Sequence, residues 1–245
     1  MPKFFVSPDN ISGKTITIDT GDVQHIKKVL RLNEGDIITV SDSTGTDYEA
    51  EISEISKDAV ICNILSEEKN SSESNINVTI YQALPKGTKM EYIIQKNTEL
   101  GVVRIVPCAL SRCVVKLDAK DAKKKCERWQ KIADEAAKQS GRGVIPKIGD
   151  VMSFRDAVVE MKKSDFCFVP YESEEDTGLK ELLKNNKSAV DISFMIGPEG
   201  GFALDEIDYI DKSGIRRVTL GPRILRTETA GLCVISAIMY EMGGF

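Results

Sequence analysis

The sequence predicts an α/β protein whose larger part is a mostly parallel sheet with helices on both faces. Short apolar strands alternate with helical segments. Two of these strands, at 192–196 and 217–220, run directly into loops rich in glycine and proline. The loops read GPEGG from Gly197 and GPRILR from Gly221. In such sheets ligands lie beyond the carboxyl ends of the strands, so these loops mark the predicted site.

Glycine allows the main chain of such loops to approach a ligand closely. A glycine pair such as Gly200–Gly201 more often makes only a tight turn. Two loops together with Glu199, Arg226 and Glu228 at the strand ends favour a ligand site. Neither common phosphate-binding signature, G-x-x-x-x-G-K-[ST] or G-x-G-x-x-G, is present. We therefore expect a ligand that is not held mainly through a di- or triphosphate.

Composition excludes several classes of protein. The 245 residues include six scattered cysteines without a C-x-x-C pair, and one histidine. This pattern predicts a reducing, cytoplasmic location and no zinc or iron site. No apolar run approaches the roughly 20 residues that a membrane helix needs.

Charge is distributed unevenly along the chain. The net charge is −5, but residues 86–147 carry 15 basic and 7 acidic side chains, which is +8. Residues 1–75 and 148–245 carry −7 and −6. Because charges are screened beyond about 10 Å, a local positive stripe still attracts phosphates. The sequence thus allows a nucleic-acid partner.

Residues 1–66 read as a small β domain of short alternating strands interrupted by one helix at 23–32. Asp22 is the predicted N-cap of that helix, and Val29 and Leu30 are expected on its apolar face. The polar run 66–75 has the composition of a linker. We therefore predict two domains, residues 1–70 and 76–245.

The second domain alternates strands and helices to its end. Thr88 and Glu91 form a capping-box signature for a helix that ends at Leu100. A helix at 119–140 is nearly all basic outside one apolar face, so a polyanion would relieve its like-charge repulsion. A third loop begins at Pro170, and the final apolar helix at 229–242 has more apolar residues than one face needs.

Several long motifs, in this order, resemble the RsmE family of ribosomal RNA methyltransferases. They are Gln82-Ala83-Leu84-Pro85-Lys86-Gly87, Met90-Glu91-Tyr92-Ile93-Ile94-Gln95-Lys96, Thr98-Glu99-Leu100-Gly101, Arg128-Trp129, Glu135-Ala136-Ala137, Gln139-Ser140-Gly141-Arg142, Gly197-Pro198-Glu199-Gly200-Gly201-Phe202 and Leu225-Arg226-Thr227-Glu228-Thr229-Ala230. Phe4-Phe5 and Val29-Leu30-Arg31-Leu32 also match. The resemblance covers nearly the whole chain.

The resemblance implies an N-terminal PUA-like RNA-binding β-barrel and a C-terminal SPOUT α/β domain with a trefoil knot. It implies S-adenosylmethionine as the methyl donor, N3 of one uridine in small-subunit (16S) ribosomal RNA as the acceptor, and a homodimer. The RNA is expected free or within an assembled subunit. No membrane or metal partner is implied.

The resemblance places the cofactor at the three loops, whereas the candidate RNA contacts follow from the basic residues and the catalytic roles from the chemistry of the reaction. The cofactor is expected against Pro170, Tyr171, Glu172, Met195, Ile196, Gly197, Pro198, Glu199, Gly200, Gly201, Leu220, Gly221, Ile224, Leu225, Arg226, Thr229 and Ala230. The expected RNA contacts are His25, Lys27, Lys28, Arg31, Lys86, Arg112, Lys123, Lys124, Arg128 and Arg142. For catalysis we expect Arg226 to stabilise an anion on the uracil, and Glu199 or Glu228 to accept the N3 proton.

Alternatives remain open at this point. Arg226 and a carboxylate could form a salt bridge that only shapes the loop. The substrate could be another base or a ribose 2′-oxygen, or the protein could be a non-catalytic RNA-binding assembly factor.

Overall fold

The computed structural model of the protein describes residues 1–19 and 21–243. They form two compact units. The first holds residues 1–73 together with 137–145, and the second holds the rest of the described chain. The domain limits predicted from the sequence, residues 70 and 76, stay a prediction. That prediction did not assign the segment 137–145 to the first unit.

The first unit is built on one six-stranded mixed sheet. Its strands are β1 (Lys3–Phe5), β2 (Ile11–Ser12), β3 (Thr15–Ile18), β4 (Ile37–Ser41), β5 (Thr46–Ile55) and β6 (Val60–Lys69). Their order is β1-β4-β5-β6-β3-β2, and only β1–β4 is parallel. Alternating residues of the strands bury one face, so Ile16, Ile18, Ile38 and Val40 are fully buried.

The polar run at 66–75 is not all linker. Strand β6 continues to Lys69, where it pairs with Thr46 of β5. Backbone pairing with a long neighbouring strand is available to polar residues as well as apolar ones, so composition did not reveal it.

The helix of the first unit differs from its prediction. The segment α1 (Asp22–Gln24) continues as a π-helix at His25–Leu30, and Gly21, not Asp22, is the N-cap. A π-helix has more residues per turn than an α-helix, so the i, i+3, i+4 spacing no longer marks one face. Val29 is 66% exposed although the α-helical pattern placed it inside.

The second unit alternates parallel strands and helices, which confirms the predicted α/β class. Its strands are β7 (Asn77–Ala83), β8 (Arg104–Ala109), β9 (Lys147–Ile148), β10 (Met152–Ser153), β11 (Phe166–Pro170), β12 (Asp191–Ile196) and β13 (Arg216–Val218). Its helices are α2 (Lys89–Glu99), α3 (Ala119–Gln139), α4 (Phe154–Met161), α5 (Leu179–Lys184), α6 (Leu204–Lys212) and α7 (Thr227–Met242), except that the last three residues of α3 belong to the first unit.

The order of the strands places three loops side by side. The sheet runs β10-β8-β7-β12-β11-β13, with β9 also paired to β8. Strand β11 therefore lies between β12 and β13, and all these pairs are parallel. Because the carboxyl ends of parallel strands meet at one edge, the loops that follow β11, β12 and β13 are neighbours.

The core of the second unit is apolar and aromatic. Phe168 stacks between Phe166 and Phe194, with ring centroids 5.3 and 5.7 Å away. Trp129 and Ala133 of α3 are buried, as the helical pattern predicted. No helix of the described residues is long and apolar enough to cross a membrane.

Two expectations for the second unit are the capping box at the start of α2 and the trefoil knot. The capping box predicted from Thr88 and Glu91 is not formed, because the Thr88 side chain accepts no capping hydrogen bond. Glu91 instead pairs with Arg128 at 2.8 Å. The trefoil knot implied by the resemblance stays a prediction.

Candidate active site

A cavity of about 800 Å³ lies at the carboxyl ends of β11, β12 and β13. This volume is typical of small-ligand sites. Fourteen of the seventeen residues predicted to hold the cofactor line it. They are Pro170, Tyr171, Glu172, Ile196, Gly197, Pro198, Glu199, Gly200, Gly201, Leu220, Gly221, Ile224, Leu225 and Ala230.

Three predicted residues do not line the cavity. Met195 is fully buried within the sheet, because its side chain points to the opposite face from that of Ile196. Arg226 and Thr229 are exposed. Seven further residues line the cavity but were not among those predicted: Glu174, Glu175 and Thr219 lie just outside the motifs, whereas Phe202, Pro222, Arg223 and Thr227 lie within them.

The hydroxyl group of Thr227 joins three elements at the base of the cavity. It donates a hydrogen bond to the carbonyl oxygen of Gly197 at 2.8 Å. It accepts one from Nε2 of Gln82 at 3.0 Å, and Gln82 is fully buried. The loop after β12, the end of β7 and the first turn of α7 are therefore fixed to one another. Threonine is common at helix starts, so the sequence alone could not show that Thr227 makes these two hydrogen bonds.

Two glycines of the loop after β12 lie close to neighbouring side chains. Gly201 has φ +67°, and a Cβ there would lie 2.5 Å from Oε1 of Glu172. A Cβ on Gly197 would lie 3.0 Å from the ring of Phe202. Side chains from neighbouring positions thus occupy the space that a larger residue would need, and the loop after β12 is held close to that after β11.

The charges on the cavity wall favour a cationic ligand. One lining side chain, Arg223, is basic, whereas four are carboxylates: Glu172, Glu174, Glu175 and Glu199. Glu174 has a counter-charge in Arg217, whose Nε lies 3.7 Å from it. Glu199 likewise has a counter-charge in Lys89, so Glu172 and Glu175 against Arg223 leave one net negative charge on the wall. A ligand with positive groups gains Coulomb energy in this setting.

Lys89 connects the two carboxylates that were expected at the reaction centre. Its Nζ lies 3.1 Å from Glu199 and 3.2 Å from Glu228. The backbone N–H of Lys86 also donates to Glu199, at 3.0 Å. Glu228 lies in the first turn of α7, because that helix begins at Thr227 and not at 229 as predicted. The sequence pattern did not identify Lys89.

The same contacts shift the pKa values of all three groups. Partial burial raises the pKa of Glu199, but hydrogen bonds from backbone N–H groups and Lys89 outweigh it and leave the pKa below its ordinary value. For Glu228, burial is likewise outweighed by its own backbone N–H, Lys89 and the charge of Arg226, so its pKa is also lowered. Hydrogen bonding to Glu199 and contact with Glu228 raise the pKa of Lys89.

Lowered pKa values make both carboxylates weak proton acceptors. They argue against the expectation that Glu199 or Glu228 takes the proton from the substrate. Arg226 forms no ion pair or hydrogen bond through its side chain within residues 1–19 and 21–243. The alternative of an Arg226 salt bridge that only shapes the loop is therefore not what the structure contains.

The candidate RNA contacts of the first unit differ in exposure. His25, Lys27, Lys28 and Arg31 are exposed. Lys27 donates to the carbonyl oxygen of Ser56 at 2.9 Å, so its ammonium group is partly engaged.

The structure contradicts the prediction that Arg142, in the same unit, contacts RNA. It is 3% exposed, and its guanidinium group pairs with Glu73 through Nε at 2.7 Å and Nη2 at 2.8 Å. Glu73 also accepts from the backbone N–H of Gly143 at 2.7 Å. A buried, bidentate pair cannot contact phosphate without leaving Glu73 uncompensated. Its role is to hold the segment 137–145 in the first unit.

The candidate RNA contacts of the second unit are all exposed: Lys86, Arg112, Lys123, Lys124 and Arg128. Nη1 of Arg112 donates to the carbonyl oxygen of Gly200 at 2.9 Å, which links this residue to the cavity wall. Arg128 is paired with Glu91, but its side chain remains 66% exposed. Among these residues, the exposed lysines of α3 are therefore the most available for contact with phosphate.

Comparison with known families agrees with this arrangement. A family model described as an RNA methyltransferase domain matches residues 72–239. A second, described as an RNA methyltransferase PUA domain, matches residues 18–65. The parallel sheet, the cavity at its carboxyl edge and the mixed sheet before it thus define an RNA methyltransferase with a PUA domain.

Comparison with individual relatives identifies the family within this class of RNA methyltransferases. The chain is 41% identical over 231 residues to ribosomal RNA small subunit methyltransferase E of Bacillus subtilis, covering 93% of this chain and 90% of that one. It is 31% identical to the protein of the same name from Synechocystis, covering 96% and 76%. The crystal structure of the Neisseria gonorrhoeae enzyme bound to S-adenosyl methionine is similar, with a TM-score of 0.87, 34% identity and coverage of 98% and 97%. The chain belongs to the RsmE family of small-subunit ribosomal RNA methyltransferases.

Acid should destabilise the second unit partly through Glu199 and Glu228. Their folded-state pKa values lie below the ordinary 4.5, so their stabilisation is present above that pH and is lost as pH falls through the folded values. We expect the drop in urea-unfolding free energy between about pH 5 and pH 3 to be smaller in Glu199→Gln/Glu228→Gln. The fluorescence of Trp129, the single tryptophan, reports this unfolding.

The matched control replaces two exposed glutamates of the same unit, Glu127→Gln/Glu181→Gln. Equal pH dependence in the two double variants would contradict the assignment of the shifts.

Proposed function

We propose that this protein transfers a methyl group from S-adenosylmethionine to N3 of a uridine in 16S ribosomal RNA. The observation that carries the proposal is the three-loop cavity with Arg226 at its edge. Leu225 and Thr227 line the cavity, while Arg226 between them is exposed and without an ion pair among the described residues. A donor inside the cavity and an acceptor against Arg226 would thus be neighbours.

The cavity fits the donor in shape and charge. S-adenosylmethionine supplies a methyl group that a sulfonium cation has made electrophilic. Ile196, Leu220 and Leu225 offer apolar surface for its adenine, and the backbone at the glycines offers hydrogen-bond donors and acceptors. The excess of carboxylates on the wall suits a ligand with a sulfonium and an ammonium group. Positioning is the main task left to the protein.

Arg226 is the proposed catalytic residue on the acceptor side. Uridine N3 carries a proton and is a poor nucleophile until this proton leaves. A guanidinium group beside the uracil oxygens stabilises the resulting anion. Because the pKa values of Glu199 and Glu228 are lowered, we propose that the proton passes to water and that both carboxylates orient the cations around them.

RNA contacts are proposed for the exposed basic residues. Lys123 and Lys124 of α3 and His25, Lys28 and Arg31 of the first unit are exposed and carry or can carry positive charge. A base that is paired or stacked must leave the helix before its N3 can react. The phosphate contacts would supply the binding energy for that step.

The proposed function is tested by mapping the product. Purified protein, isotopically labelled S-adenosylmethionine and either free 16S RNA or assembled small subunits are incubated, and the RNA is digested for mass spectrometry. We expect label in N3-methyluridine with at least one of the two substrates. Label in a ribose or another base would contradict the N3 assignment. No label, with no S-adenosylmethionine binding by calorimetry, would favour a non-catalytic assembly factor.

Gly201→Ala should weaken cofactor binding. The added methyl group would displace the flexible carboxylate of Glu172 from its place in the cavity wall, and alanine at a left-handed φ would cost about 1–2 kcal/mol of stability. We expect a rise of up to about tenfold in the calorimetric Kd for S-adenosylmethionine, since tenfold corresponds to about 1.4 kcal/mol and Glu172 lines the cavity. Gly214→Ala is the control, because φ there is +74° but the space is open. An equal effect of both changes would mean that the contact with Glu172 is irrelevant.

Reversing charge on α3 should weaken RNA binding. We expect Lys123→Glu/Lys124→Glu/Lys125→Glu to lower affinity for 16S RNA and to reduce the slope of log K against log salt by about one for each phosphate that the variant no longer neutralises. The control, Lys162→Glu/Lys180→Glu/Lys184→Glu, reverses three exposed lysines elsewhere in the same unit. If both triple variants bind alike, α3 is a solvated surface.

A homodimer is proposed through α7. Thr229, Cys233 and Tyr240 are exposed on one side of this otherwise apolar helix, and Tyr240 is 81% exposed. Light scattering should give twice the chain mass of 27.0 kDa, and a monomer mass would rule the dimer out.

The cytoplasm is the proposed location. All six cysteines are free thiols, which suits a reducing compartment. Detection of the protein in the cytoplasmic fraction of disrupted cells checks this.

A further inference from the structure

Lys89 occupies a position that does not favour a lysine. It is the first residue of α2, where the partial positive charge of the helix end repels a cation. An acidic or neutral residue would suit that helix end better. A lysine at this position is explained by its partners, Glu199 and Glu228, which belong to two other elements.

The three side chains form a partly buried cluster with an excess of negative charge. Exposure is 29% for the side chain of Lys89, 26% for Glu199 and 20% for Glu228. Two carboxylates share one ammonium group, so one negative charge is left over. Among the described residues near this cluster, Arg226 is the cation whose charge also acts on Glu228.

Arg226 is nevertheless not a member of the cluster. It precedes α7 as its N-cap, two positions before Glu228, and its side chain forms no ion pair within the part of the chain that the structure describes. If the carboxylates had no other partner, Coulomb attraction would draw the guanidinium group onto Glu228. Lys89 reduces this attraction because it already neutralises part of the carboxylate charge.

We propose that Lys89 is a positioning residue for methyl transfer: by holding Glu199 and Glu228, it keeps the guanidinium group of Arg226 available for the anionic acceptor. This inference rests on the proposed function, since it concerns how Arg226 reaches the acceptor. Lys89 also ties the start of α2 to the loop after β12 and to α7, and so fixes the wall behind Arg226. Its effect on the reaction passes through Arg226.

The test compares four variants with the wild type in single-turnover methylation of 16S RNA. Lys89→Met removes the ammonium group, Lys89→Arg keeps the charge, and Arg226→Ala defines the rate without the guanidinium group. Lys89→Met/Glu228→Gln removes both the ammonium group and the carboxylate that would capture Arg226. Calorimetry with S-adenosylmethionine and thermal unfolding are measured for each variant. Lys96→Met is the matched control, because Lys96 lies on the same helix and pairs locally, with Glu99.

We expect Lys89→Met to lower the rate by about 100-fold, close to the level of Arg226→Ala, with little change in the Kd for the cofactor. Lys89→Arg should restore most of the rate. Lys89→Met/Glu228→Gln should be at least about tenfold faster than Lys89→Met, because the carboxylate on which the charge of Arg226 acts is then neutral. Lys96→Met should react like the wild type. A purely structural role for Lys89 predicts no gain from the second substitution.

Two results would overturn the inference while the wild type remains active. One is a Lys89→Met variant as fast as the wild type. The other is a double variant no faster than Lys89→Met, which is also the outcome expected if Glu228 were the proton acceptor. If Lys89→Met does not fold, Lys89→Gln and the double variant provide the same comparison. A wild type that transfers no methyl group to RNA would instead refute the proposed function.

Discussion

The hydroxyl group of Thr227 and the parallel strand register together fix the geometry on which the site depends. Strand β12 pairs with β7 from Asp191 to Ile196, which places the end of β12 beside Gln82. The Thr227 hydroxyl then links Gln82 to Gly197, so α7 must begin at the point where the loop after β12 begins. Both Gln82 and Thr227 are buried, and a buried polar group without a partner is costly. The cavity wall is therefore specified by a few hydrogen bonds on a rigid sheet.

Much of the fold and of the cavity could be predicted because the signals are local. Apolar strands followed by glycine-rich loops identify a parallel sheet and its ligand edge from neighbouring residues alone. Gly201 has a recognisable reason to be glycine, and the structure supplies it in φ +67° and in the nearness of Glu172.

What the sequence could not reveal depends on residues far apart in the chain. Lys89 and Glu199 are 110 positions apart, and no spacing rule relates them. Arg142 has the same composition signal as an RNA contact, and only its burial against Glu73 distinguishes the two roles. The π-helix at His25–Leu30 breaks the α-helical period from which Val29 was assigned to the core.

The three loops of the cavity come from residues 170–175, 196–202 and 219–230, so the ribosome synthesises all of them late in translation of the chain. Synthesis proceeds from the amino terminus, and early units can begin to fold before the remainder exists. Strands β7 and β8 can pair while the chain still lacks every wall of the cavity. A polypeptide that ends near residue 215 would contain the first two loops but would lack β13, the third loop and α7, so one wall of the cavity and part of the core beneath it would be missing.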